Sequence, residues 1–243
     1  MSSPRSRPGW FIVFEGGDGV GKSTQVELLA DALADAGVDH LVTREPGGSS
    51  LGQSIRALLL DPETGAVAPR AEALMYAADK AQHVNQVVIP ALEAGSVVIC
   101  DRYLDSMIAY QGAGRVLDVD EVRRLGEWAT GGLRPDLTVL LDIDPRRAVA
   151  AKEKKDRLEQ AGVDFHERAR QGFLDLAAED PQSYLVLPAL GSMTDTAAAI
   201  RAHLAGLGVP GLGAATSGGG AAAGAAGTSG GQPDLSQRPG RIG

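Results

Sequence analysis

Hydrophobic positions along this chain gather into short apolar runs, and longer stretches of helical period separate them. The runs at residues 10–15, 40–43, 96–100, 137–141 and 184–187 read as strands. Residues 51–60, 71–94, 121–129, 146–154, 164–178 and 194–204 read as helices, the second kinked at Pro90. Between the first two strands, Val26, Leu28, Leu29 and Leu33 recur at roughly helical spacing, and Gly37 marks a helix end. Strands that are apolar throughout are buried on both faces. The pattern therefore predicts a parallel sheet with helices packed on each side. Ligands of such sheets bind beyond the carboxyl ends of the strands, so the residues just after each strand carry the most information.

Composition sets the limits of this domain. Residues 1–9 read as a disordered arm and 10–206 as the folded unit. From residue 207 to 243 the chain turns into Gly, Ala, Ser, Thr and Pro. That segment has too little large apolar surface to offset its ordering entropy, and it reads as a flexible tail. A formal net charge of −8 without a long basic stretch argues against a nucleic-acid or anionic-membrane partner. The single cysteine, Cys100, excludes an internal disulfide and fits a reducing compartment; within its apolar run it reads as a small buried hydrophobe. His40, His83, His166 and His203 lack metal-ligand spacing. With no membrane-length apolar run and no signal-like start, the expectation is a soluble cytoplasmic protein.

Charge concentrates where the strands end. After the first come Gly16, Gly17, Asp18, Gly19, Val20, Gly21, Lys22, Ser23 and Thr24, which contain G-x-x-x-x-G-K-[ST]. Strand, glycine loop and helix in this order let backbone N–H groups curl around phosphate oxygens, with the helix N-terminus behind them. Lys22 is placed to reach the outer phosphates and Ser23 to hold Mg²⁺. Arg44 and Arg102 each follow a strand, and guanidinium forks suit phosphate. Because the loop already serves a donor nucleotide, two more cations suggest a second phosphate on an acceptor; pairing with Glu45 or Asp101 is the alternative. Asp18 sets a carboxylate inside an anion-binding loop, to hold an arginine such as Arg102, meet the metal or orient a hydroxyl, unless it simply faces solvent. Asp101 suits the Mg²⁺ shell, with Asp142 as a rival by the same pattern. Lys152, Lys154, Lys155 and Arg157 are either a solvated loop or a cationic lid at about 151–162. Tyr76 and Lys80 share a helix face at i,i+4, the spacing of a ring and a donor for a base.

Together these segments resemble the thymidylate kinase family of P-loop nucleoside monophosphate kinases. The resemblance spans about residues 10–205. It rests on Phe-Glu-Gly-Gly-Asp-Gly-Val-Gly-Lys-Ser-Thr at 14–24, Thr-Arg-Glu-Pro-Gly-Gly at 43–48, Asp-Arg-Tyr-Leu-Asp-Ser-Met-Ile-Ala-Tyr-Gln at 101–111 and Arg-Pro-Asp at 134–136. It implies a three-layer α/β P-loop fold with a five-stranded parallel sheet, usually a homodimer, that phosphorylates dTMP to dTDP with ATP and Mg²⁺. Carried over by position, Asp18 organises the acceptor, Arg44 and Arg102 grip the dTMP phosphate, and Tyr76 stacks on thymine. Ser106 and Gln111 contact the base, Tyr110 lies by the sugar, and Glu159 is a lid acid. Lys80 stands where an arginine is common, and Met107 where a small residue is common. Gly19 stands where some relatives carry a basic residue, which leaves the lid lysines, among them Lys155, or Arg157 to supply the catalytic cation. A deoxynucleoside kinase and a non-catalytic nucleotide switch remain the alternatives. Against the switch, no guanine-reading Asn-Lys-x-Asp segment is present.

Overall fold

The computed structural model describes residues 7–115, 117–148 and 162–213. Strand β1 (Trp10–Gly16) leads into α1 (Lys22–Asp35), then β2 (His40–Arg44) and α2 (Ser50–Leu60). Helix α3 (Pro69–His83) runs through a wide turn at Val84–Val88 into α4 (Ile89–Glu93) and then β3 (Val97–Asp101). Helix α5 (Leu104–Met107) widens at Ile108–Gly114 and is followed by α6 (Val119–Ala129), β4 (Leu137–Asp142) and α7 (Pro145–Ala148). The chain then forms α8 (Val163–Glu179), β5 (Tyr184–Pro188) and α9 (Met193–Leu207). All five strands are parallel, in the order β2-β3-β1-β4-β5.

Burial explains the continuous apolar runs. Alternate residues of the central strand face opposite layers. Ile12 and Phe14 pack with Leu29, Leu33, Ile200 and Leu204 of α1 and α9. Phe11 and Val13 pack on the other side with Val88, Leu92, Tyr103 and Ile108. The edge strands β2 and β5 are only partly buried, with Val42 and Val186 exposed. The Arg-Pro-Asp segment joins β4 to β1. Asp136 Oδ2 accepts from Phe11 N at 2.8 Å, and Asp136 N donates to Phe11 O at 2.7 Å.

Several boundaries differ from the sequence expectation. Residues 104–114 are helical, although their polar and glycine positions carry no clean helical period. The bend expected at Pro90 is a wide turn just before it, where Ile89 N donates back to Val84 O. The arm expected at 1–9 is anchored at its end: Arg7 Nη2 reaches Asp136 Oδ2 at 2.9 Å, and Gly9 N donates to Leu92 O. The domain also runs past residue 206, because Val209 and Leu212 are buried against the α1–α9 layer. Both are apolar side chains inside a glycine-rich stretch, whose composition masked them.

A chain ending at residue 206 loses the burial of Val209 and Leu212, each worth about 1.5–3 kcal/mol. Its thermal midpoint is expected to fall several degrees below that of a chain ending at 213, as read by differential scanning calorimetry.

Candidate functional site

The phosphate loop is shaped by close contact between its own strand and the next. Gly16 has φ +131°, and a Cβ there would lie 2.3 Å from Leu141 O, so no side chain fits. Gly21 caps α1 in a left-handed conformation with no side-chain cap, which leaves the first helical N–H groups open to an anion. Lys22 Nζ donates to Gly16 O at 3.1 Å and Gly17 O at 2.6 Å. Burial lowers its pKa to about 8, and the charge of Arg102 pushes the same way.

Ser23 Oγ, in the first turn of α1, donates to Asp101 Oδ2 at the end of β3 at 3.3 Å. Asp101 Oδ1 is buried with no hydrogen-bond partner among the described residues, an acceptor well suited to a hard cation. Asp142 is engaged elsewhere: its two oxygens take Arg170 Nε and Nη2, each at 2.7 Å. Among the described residues no group of three or more His, Cys, Asp or Glu side chains converges. A hydroxyl and one carboxylate fit Mg²⁺, which usually arrives with phosphates and keeps several waters.

Arg102 joins the loop to the next cavity. It adopts φ +70°, rare outside glycine. Its Nη1 donates to Gly16 O at 2.9 Å and Ser106 Oγ at 3.1 Å, and its Nη2 to Asp18 Oδ1 at 2.6 Å. Burial opposes its charge, but the Tyr110 oxygen and the carboxylates of Asp18, Glu15 and Asp101 outweigh this and hold it protonated. Its guanidinium also lies 5.3 Å from the Tyr110 ring centre. Of the uses open to Asp18, the structure shows the ion pair with Arg102.

Beyond Arg102 opens a cleft with about 540 Å³ of empty space, part of it open to solvent. Asp18, Arg102, Ser106, Tyr110 and Gln111 line it together with Tyr76, Lys80 and Met107. Arg56 of α2 also lines it, with Nη1 donating to Pro46 O at 2.9 Å. The glycine pair makes this possible, since a Cβ on Gly47 would sit 2.9 Å from Arg56 Cδ. Arg44 is not brought to the cleft; it is exposed on edge strand β2. The structure therefore sets Arg56, not Arg44, in the cleft that Arg102 lines. Arg56 carried no signal in the sequence because it lies mid-helix, away from any strand end.

These observations meet in one comparison. The sequence profile described as thymidylate kinase matches residues 14–200. The chain belongs to the thymidylate kinase family. Thymidylate kinase of Cutibacterium acnes is 60% identical over 199 residues, covering 82% of this chain and 98% of the relative. That of Leifsonia xyli subsp. xyli is 56% identical over 210 residues, covering 85% and 99%. The crystal structure of thymidylate kinase from Ehrlichia chaffeensis superposes with a TM-score of 0.69 at 32% identity, covering 81% of this chain and 98% of that one. The chain is thus an enzyme of nucleotide biosynthesis, an ATP-dependent kinase that phosphorylates dTMP to dTDP. Among the described residues no helix is long and apolar enough to cross a membrane.

Within this family frame two expectations change. Lys80, read as a donor for the base, is 1% exposed, and its ammonium is bound to Glu45 Oε2 and to Tyr103 O, the latter at 2.7 Å. Burial raises the Glu45 pKa, but Lys80 and His83 outweigh it and hold the carboxyl below its ordinary value. His83 Nδ1 lies 2.8 Å from Glu45 Oε1, and Thr43 Oγ1 is 2.7 Å from His83 Nε2. Ser106, expected on the base, spends its hydroxyl elsewhere. It donates to Glu15 Oε2 at 2.6 Å and accepts from Arg102. Lys152, Lys154, Lys155, Arg157 and Glu159 lie outside the described residues.

Removing one partner of the buried Lys80–Glu45 pair strands the other. Lys80→Met is expected to cost about 3–5 kcal/mol, and the double variant E45Q/K80M much less. Urea unfolding of both variants checks this; equal losses would contradict the pairing.

Proposed function

We propose that transfer occurs in line between ATP held by residues 16–24 and dTMP held in the neighbouring cleft. The observation that carries this reading is Arg102, which touches the phosphate loop and lines the cleft at once. An oxygen of the dTMP 5′-phosphate attacks the γ-phosphorus of ATP, the bond to the β-phosphate oxygen breaks, and ADP leaves. The acceptor oxygen is already anionic near neutral pH, so alignment and charge neutralisation do the catalytic work.

In this reading Lys22 turns from the Gly16 and Gly17 carbonyls to the outer phosphates of ATP. Ser23 and Asp101 are the residues that would hold Mg²⁺, whose charge offsets that of the transferring group. Arg102, oriented by Asp18, and Arg56 bind the dTMP phosphate. Tyr76 stacks on thymine, Gln111 meets its edge and Tyr110 lies against the sugar. Lys155 or Arg157 supplies the last cation and Glu159 an acid near the acceptor.

The same reading includes a homodimer. The adjoining helices α2, α3 and α6 each leave large apolar side chains in water: Leu58, Leu74 and Trp128 are 52%, 58% and 81% exposed. A second copy of the chain covers this layer. In L58D/L74D, sedimentation velocity is expected to show monomers where the unmodified chain shows dimers; a monomer in both overturns the assembly.

Steady-state kinetics separate the arginines. R102A and R56A are each expected to raise the KM for dTMP at least about tenfold while that for ATP moves little. R44A should leave both within about twofold, as surface changes do. A large effect of R44A with none of R56A would return the phosphate to the strand end.

A further inference from the structure

Gln111 is 1% exposed and belongs to the wall of the acceptor cleft. Its Nε2 donates to Glu72 Oε1 at 3.1 Å, and Glu72, on α3, is fully buried. Arg115 grips the same carboxylate, with Nε to Oε1 at 3.1 Å and Nη2 to Oε2 at 3.2 Å. The Arg115 guanidinium is itself held 5.0 Å from the Phe165 ring centre. A carboxylate paired with arginine has no proton to give and can only accept.

This arrangement fixes the polarity of a group that is otherwise free to turn. A carboxamide carries a donor on one side and an acceptor on the other, and its two orientations are nearly the same shape. Turning the Gln111 amide around would set Oε1 against a carboxylate oxygen. The NH2 group must face Glu72, which leaves Oε1 toward the cleft. We infer that Glu72 is a positioning residue that fixes Gln111 as a hydrogen-bond acceptor toward the acceptor base, so that the site selects a ring N–H over a bare ring nitrogen. The inference rests on the placement of the base between Tyr76 and Gln111 proposed above. Thymine and uracil carry a proton at N3. Cytosine carries a lone pair there, so two acceptors would meet with no proton between them, a buried mismatch. With the Lys80 ammonium committed to Glu45 and Tyr103 O, this acceptor is a main source of base discrimination.

The test uses the whole enzyme with ATP and four acceptors: dTMP, dUMP, 5-methyl-dCMP and N3-methyl-dTMP. 5-Methyl-dCMP keeps the shape of dTMP and changes only the polarity of its N3–C4 edge. In E72Q the new amide can donate or accept, so Gln111 is released to turn. The ratio of kcat/KM for dTMP over 5-methyl-dCMP is expected to fall about tenfold, the worth of one hydrogen bond. The change should lie in the acceptor KM, with the KM for ATP and the dTMP-to-dUMP ratio unmoved, because both of those bases carry N3–H. A merely structural lesion would weaken every acceptor and ATP alike. That outcome, or an unchanged dTMP to 5-methyl-dCMP ratio, overturns the role of Glu72. Since E72Q leaves Arg115 without its countercharge, E72Q/R115Q removes both charges together and gives the same readout if the single variant does not fold. N3-methyl-dTMP tests the underlying placement separately. If the unmodified enzyme uses it as well as dTMP, nothing reads N3 and the base placement itself fails. If it is a poor substrate while E72Q keeps full discrimination, only the positioning role fails.

Discussion

The carboxylate of Glu15 holds the ends of two strands and the start of a helix in one geometry. It sits at the end of the central strand, fully buried, and accepts from Tyr103 N at 2.8 Å, Ser106 N at 3.1 Å and Ser106 Oγ at 2.6 Å. Burial drives its pKa up against the pull of Arg102 and these donors. The bonds pin the turn between β3 and α5, and that turn contains Arg102 with its positive φ. Ser106 then passes the constraint to the guanidinium through the hydrogen bond it accepts from Nη1. An arginine that links the phosphate loop to the cleft is held in place by these bonds, and small displacements of positioning groups cost large factors in rate. Here the precision comes from one buried acid and the backbone it ties down.

A second polar knot lies beneath the cleft floor. Glu45 gathers Lys80 and His83, while Asp79 Oδ1 accepts from Gly47 N at 3.0 Å. The knot fastens the Glu-Pro-Gly-Gly loop to α3, so the parts of the cleft wall that the loop and the helix supply are tied to one another. Its composition also divides the labour among side chains. Lys80 and Ser106 line the cleft yet serve as structural ties, bound to Glu45 and Tyr103 O and to Glu15.

Much of this was legible in the residues. Apolar runs located every strand to within a residue or so at each end; in β1, β3 and β4, burial on both faces admits almost no polar residue, and the partly buried edge strands β2 and β5 still carry enough apolar residues to show. The phosphate loop was legible for a related reason: Gly16 is required by its contact with Leu141 O, and Gly19 and Gly21 by their positive φ. The two strand-end arginines illustrate the limit. Both satisfy the rule that ligands gather at strand ends, but β2 is an edge strand with an exposed end, and the rule does not say which way a side chain there points. Arg56 lay outside the rule altogether. Lys80 read as a donor for the base because its buried partner is 35 positions away. The cationic cluster that suggested a lid falls outside the described residues, so its chemistry rests on the family resemblance.

The lysine of the phosphate loop has one more consequence. Its ammonium donates to the carbonyls of Gly16 and Gly17, so a buried cation is held by the backbone of the loop it belongs to. Burial alone would favour the neutral amine, while hydrogen bonds to the charged form favour the ammonium. The side chain thus straps the start of α1 to the end of β1, and a neutral residue of the same length would loosen that strap as well as remove the charge.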